Sequence, residues 1–124
     1  MTSFSLPNRD SLIIIKANLT GPNGTVELSL ALDTGCTQTA IRPGYLKAVG
    51  YNPEEEGKPL RVLTASKVEK AFQLKVSSLT ALNCTVKNSW VTAQALPPQF
   101  AIDGLIGLNF FKQLKKRLVI DFNT

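Results

Sequence analysis

From residue 25 to residue 33 apolar and polar positions alternate. Val26, Leu28, Leu30 and Leu32 fall on one side, and Glu27, Ser29, Ala31 and Asp33 on the other. A strand points successive side chains to opposite faces, so the apolar set seeks a core. Asp33 then emerges on the opposite face, at the strand's end. Gly35 follows, and a residue without Cβ lets the backbone turn there. Residues 11–19 form a second β-rich run. Thr20-Gly21-Pro22-Asn23-Gly24 lies between the two runs as a turn, which predicts a hairpin.

The rest of the chain reads as short pieces. Residues 1–10 form a loose N-terminal arm. Residues 37–41 predict a short strand broken by Arg42-Pro43-Gly44, and 45–49 one helical turn. Residues 50–59 read as a solvated acidic loop around Glu54-Glu55-Glu56. Residues 60–64 and 69–76 predict a second hairpin, 79–83 are ambiguous, and 84–95 predict one long strand ended by Pro97-Pro98. After a loop at 99–104, Leu105 and Ile106 form a very short strand. Residues 108–115 predict a helix, and Leu118, Ile120 and Phe122 a last alternating strand. Seven or eight short strands between turn residues predict a small β-barrel or sandwich.

Composition narrows the function. The 124 residues suit a single domain. No apolar run is long enough for a membrane helix, and the first ten residues lack the pattern of a secretory signal. A cytoplasmic protein with no membrane partner is expected. The net charge is +5, densest at Lys112, Lys115, Lys116 and Arg117. Cations favour the C-terminal end of a short helix, and no aromatic residues interleave for base stacking, so no nucleic-acid partner is expected. Cys36 and Cys84 offer neither a disulfide framework nor a metal spacing. Histidine is absent. Ser-His-Asp and Cys-His mechanisms are therefore excluded within the chain, and the usual zinc sites lose their commonest ligand. Neither a metal nor a cofactor is expected. Any hydrolysis must rest on carboxylates.

Seventy residues beyond Asp33 (103 − 33) a second segment reads Asp103-Gly104-Leu105-Ile106-Gly107, followed by the helix and last strand. Asp33-Thr34-Gly35 after a hairpin, Thr39-Ala40-Ile41 behind it and this closing segment together resemble a retropepsin-like aspartic protease over residues 11–122. The resemblance implies a single-domain, mainly β fold, a small closed barrel with one short C-terminal helix. It implies peptide-bond hydrolysis by two carboxylates, one ionised to take a proton from water and one protonated to polarise the carbonyl. Aspartic proteases are the standard example of such a pair. One Asp-Thr-Gly per chain makes the dyad a property of a two-fold homodimer. Asp33 is then the catalytic acid and base, Thr34 ties the two loops together and Gly35 lets its backbone approach the carboxylate. An intrachain pair of Asp33 with Asp103 is the alternative dyad.

The hairpin at 60–76 falls where the family has its flap, with Ala65, Ser66, Lys67 and Val68 at the tip. Ile102, Asp103 and Leu105 fall beside the cleft. Val68, Ile102 and Leu105 would give apolar walls to an extended peptide held through its backbone. Asp103 would cap the turn at Gly104 or meet a basic substrate group. The chain departs from the family at Cys36, where Ala or Ser is usual, and in a flap tip without glycine. The second departure leaves another reading open: a non-catalytic homodimeric module of the same fold that binds peptide or acts as a scaffold.

Overall fold

A computed structural model describes residues 2–3, 13–33, 35–63 and 67–113. Thr34, Ala65, Ser66, the last predicted strand, Lys115, Lys116, Arg117 and most of the N-terminal arm lie outside the described residues.

Eight strands and three short helices are present among the described residues. The predicted first hairpin is β2 (Ile13–Gly21) with β3 (Gly24–Leu32), paired from Ile13↔Leu32 to Gly21↔Gly24. Ile15, Ala17, Leu19, Leu28 and Leu30 point into the main core. Gly24 closes the turn at a φ of 132°, a conformation that a side chain would strain. Within the arm, β1 (Thr2–Ser3) pairs in parallel with Val62 and Leu63, so this part of it is bonded where a loose segment was expected.

β4 (Ala40–Ile41) is shorter than the predicted 37–41 strand. Residues 37–39 instead direct their backbone groups to other partners: Thr37 O to Asn109 N, and Thr39 O to Thr92 N. α1 (Pro43–Ala48) follows, with proline at its first position. α2 (Pro53–Glu56) is one helical turn where a loop was expected. Its proline start and three glutamates suit the N-terminal end of a helix.

β5 (Lys58–Leu63) and β6 (Val68–Ala81) form the second hairpin. β6 runs on to Ala81 and resolves the ambiguous stretch. Leu74 and Val76 point inward, then Leu79 and Ala81 do, so the strand changes phase between them. The corner is at Ser77, whose N–H donates to the Tyr51 hydroxyl at 2.6 Å, while Asn88 on the neighbouring strand takes a φ of 53°. Beyond the corner β6 pairs with β2 from Ser78↔Thr20 to Ala81↔Ala17. β7 (Cys84–Ala93) pairs with β6 along its length.

β8 (Gly104–Ile106) returns from far along the chain and inserts between β3, to which it is parallel, and β4, to which it is antiparallel. The order β6-β2-β3-β8-β4-β7, with β7 paired again to β6, closes a six-stranded barrel, and β5 and β1 extend it on one side. α3 (Leu108–Gln113) places Phe110 and Phe111 in the core. Among the described residues no helix is long and apolar enough to cross a membrane.

Candidate active site

Asp33 stands where the alternation of β3 leaves it, one residue past the strand, with its N–H donating to Ile106 O at 3.2 Å. Its Oδ1 accepts the Gly35 N–H at 3.0 Å. A Cβ on Gly35 would sit 3.3 Å from that oxygen, so glycine is what permits the close approach.

From Asp33 the chain must cross the end of β8 to reach β4, two strand spacings or about 10 Å. Residues 35–39 make this crossing with almost no space beneath them. A Cβ on Gly107 would lie 2.4 Å from Gln38 O and 2.8 Å from Cys36 O. The first N–H groups of α3 need acceptors, and the crossing supplies them: Leu108 N donates to Cys36 O at 2.9 Å and Asn109 N to Thr37 O at 3.0 Å. Thr39 is fully buried. Its hydroxyl donates to Asn109 Oδ1 at 2.8 Å and accepts the Gly107 N–H at 3.2 Å. Asn109 Nδ2 donates in turn to Trp90 O at 2.9 Å. Thr92 Oγ1 donates to Gln38 Oε1 at 3.0 Å. The Asp33 loop is thus fixed from β7, β8 and α3 at once. The carboxylate is placed by backbone, through the Gly35 N–H on Oδ1 and its own N–H on Ile106 O.

Cys36 follows in this loop. Its thiol donates to Gln38 O at 3.0 Å and is half-buried. Burial pushes the thiol above its ordinary pKa and the negative charge of Asp33 adds to this, outweighing an opposing contribution from the Gln38 backbone. The side chain is a small, protonated filler.

The remaining predicted site residues divide. Leu105 pairs with Ala31, two positions before Asp33 on the same face of β3. Ala31, Leu105, Ile102 and Leu96 form a second apolar cluster with Phe100 packed on it. Ile102 and Leu105 are therefore brought to the Asp33 face, but as its buried backing. Val68 opens β6 and is exposed, with Leu63 exposed opposite it. Lys67 lies 3.5 Å from Glu69.

Asp103 is not brought to Asp33. It precedes Ile106 by three residues, about 10 Å along a strand. One of its carboxylate oxygens accepts Ser29 N–H at 2.7 Å and the other the Tyr45 hydroxyl at 2.6 Å. That hydrogen bond holds the Tyr45 hydroxyl above its ordinary pKa. The expected turn cap or substrate contact is replaced by a clamp between β3, α1 and the start of β8, because Ser29 and Tyr45 present donors there.

Arg42, Tyr45 and Asn109 complete the frame without having been given a role in the sequence, and Thr39 was noted there only as part of Thr39-Ala40-Ile41. The signal for Asn109 is its place as the one polar side chain inside Gly107-Leu108-Asn109-Phe110-Phe111. Among the described residues no group of three or more potential metal ligands comes together.

Comparison with curated proteins finds no match. The fold is similar to that of a retropepsin-like aspartic protease from Rickettsia conorii, solved by crystallography. The TM-score is 0.68 and the identity 22%, over 92% of this chain and 88% of that one. A family model matches residues 21–113, from the turn of the first hairpin to the end of α3. With Asp33 held in the crossing loop and β8 inserted beside it, the chain belongs to the family described as gag-polyprotein putative aspartyl protease.

Proposed function

We propose that the chain is an aspartic endopeptidase that works as a homodimer, with residues 11–122 as its catalytic unit. The observation that carries this reading is the placement of Asp33 by a backbone frame that, among the described residues, presents one carboxylate and no second one. A dyad then needs Asp33 from each of two chains about a two-fold axis. Two carboxyls in contact cannot both ionise, so they share a proton and titrate as a pair. The ionised one takes a proton from water as the water attacks the peptide carbonyl. The protonated one donates to the carbonyl oxygen and so stabilises the tetrahedral centre. Proton return to the leaving nitrogen completes cleavage.

Thr34 ties the two loops together and Gly35 donates its N–H to the carboxylate. Ala65, Ser66, Lys67 and Val68 close over the substrate, an extended peptide or protein segment, from the flap side. The cysteines Cys36 and Cys84 are free thiols, which suits a reducing compartment.

The test is cleavage of a peptide library by the wild type and by Asp33→Asn, with sedimentation of both. Cleavage by the wild-type dimer, lost by at least about a thousandfold in a folded Asp33→Asn dimer, is the expected result. A variant that cleaves at the wild-type rate sinks the mechanism. Peptide binding by both proteins without cleavage by either favours the binding module.

A further inference from the structure

The segment between β7 and β8, residues 94–103, has no regular structure, yet it covers Ala31 on the outer face of β3, two positions before Asp33. Leu96 and Ile102 turn in and are buried on Ala31, and Phe100 packs on them half-exposed. Such a segment has no ladder to hold it. Its ends are tied, Gln94 N–H to Ile41 O and Asp103 to Ser29 and Tyr45, and what holds residues 96–102 between them is Arg42. Its Nε donates to Ile102 O at 2.9 Å and Nη1 to Leu96 O at 2.7 Å, while Nη2 donates to Pro97 O and Phe100 O, both at 3.0 Å. The Arg42 backbone N–H adds a bond to Asp103 O at 3.1 Å. Among the described residues no carboxylate pairs with this guanidinium.

Four carbonyls turned toward one cation define the path of the segment. A planar fork of five donors can serve them together, and an ammonium on a flexible stem cannot. The hydrogen bonds are charge-assisted and therefore strong for their kind. The result is a wall with a fixed shape, packed on Ala31 two positions before Asp33 in β3, whose half-exposed aromatic side chain is Phe100.

We propose that Arg42 is a positioning residue for a substrate wall and that Phe100 is the specificity-determining residue on it. Phe100 receives a large apolar side chain of the peptide next to the scissile bond. This rests on the endopeptidase reading. Arg42 touches neither substrate nor reacting atoms. It acts by keeping the 94–103 segment against Ala31 and Leu105, so that Phe100 meets the peptide at a set height above Asp33.

The experiment is library cleavage by the wild type, Asp33→Asn, Arg42→Lys and Phe100→Ala, with KM and kcat measured separately and calorimetric binding of one uncleaved peptide mimic. Arg42→Lys should raise KM about tenfold and leave kcat within about twofold, because it loosens binding and spares the dyad. Phe100→Ala should cut the preference for large over small apolar residues about tenfold. Amide exchange in residues 96–103 should rise in Arg42→Lys alone.

Unchanged KM and unchanged selectivity in both variants overturn the inference while Asp33-dependent cleavage keeps the enzyme reading. If Arg42→Lys does not fold, Phe100→Ala decides by the same criterion. If Asp33→Asn cleaves like the wild type, the dyad falls and the mimic decides: weaker binding by Arg42→Lys and Phe100→Ala supports the wall, equal binding overturns it. A wild type that neither cleaves nor binds overturns both.

Discussion

Two irregular segments adjoin the end of β3 at Asp33, and they are supported in opposite ways. The Asp33 loop rests on a backbone surface. Gly107 lies under it at contact distance, α3 donates two N–H groups upward, and the buried Thr39 hydroxyl joins the layers. The 94–103 segment is tied at its two ends, and its middle, residues 96–102, hangs from one side chain, Arg42, through four carbonyls. Distributed support suits a group that must hold its geometry within a fraction of an ångström. Concentrated support fixes a wall through a single residue, so a change there alters the wall and leaves the chemistry beneath it in place.

The sharpest way to break this contrast is at the distributed side. Gly107→Ala puts a methyl group 2.4 Å from Gln38 O and 2.6 Å from its carbonyl carbon, both backbone atoms with no room to yield. We expect a loss of about 3 kcal/mol in urea unfolding and no detectable cleavage. A near-wild-type enzyme would show that the loop does not depend on this close approach. Thr39→Val keeps the shape and removes the hydroxyl, leaving Asn109 Oδ1 and the Gly107 N–H without their partner. A loss of about 2 kcal/mol is expected, with kcat falling more than KM rises.

On the concentrated side, Tyr45→Phe removes one hydrogen bond to Asp103 and should cost about 1 kcal/mol. Selectivity should not change, because the wall depends on Arg42. A selectivity shift equal to that of Arg42→Lys would mean the support is shared after all.

The smallest effect reads the electrostatics of the loop. The raised pKa keeps the Cys36 thiol protonated at neutral pH, so its alkylation, separated from Cys84 by peptide mapping, should be slower than that of a free thiol. Because the folded pKa lies above the unfolded one, its contribution to stability is complete below the ordinary thiol range. It is lost as the pH rises through that range and the unfolded thiol ionises. Asp33→Asn removes one of the upward influences and should quicken alkylation slightly. No change would mean the carboxylate does not reach the thiol.

The legible parts of the molecule were those written in a period. The alternation of β3 placed Asp33 correctly, and a mere three residues of β8 were visible as an apolar pair between glycines. The corner at Ser77 was hidden because the inward phase flips within a single strand, so the alternation breaks where the strand only turns. The acidic run at 54–56 was read by its charge, although Pro53 had set the start of a helical turn. Arg42 was read as part of a strand break. Its partners lie more than fifty residues away and are backbone carbonyls, which any residue type supplies, so no sequence pattern records them.

The insertion of β8 between β3 and β4 also sets an order in time. Until residues 104–106 are available, β3 and β4 expose open edges to one another across an empty slot, and such edges invite wrong pairings. The pairings that fill the slot join residues more than sixty positions apart, a topology that folds slowly. A nascent chain cannot seat the Asp33 loop before Gly107 has left the ribosome. The same strand that builds the site therefore delays it, and the Asp33 frame cannot close until residues 104–107 have been made.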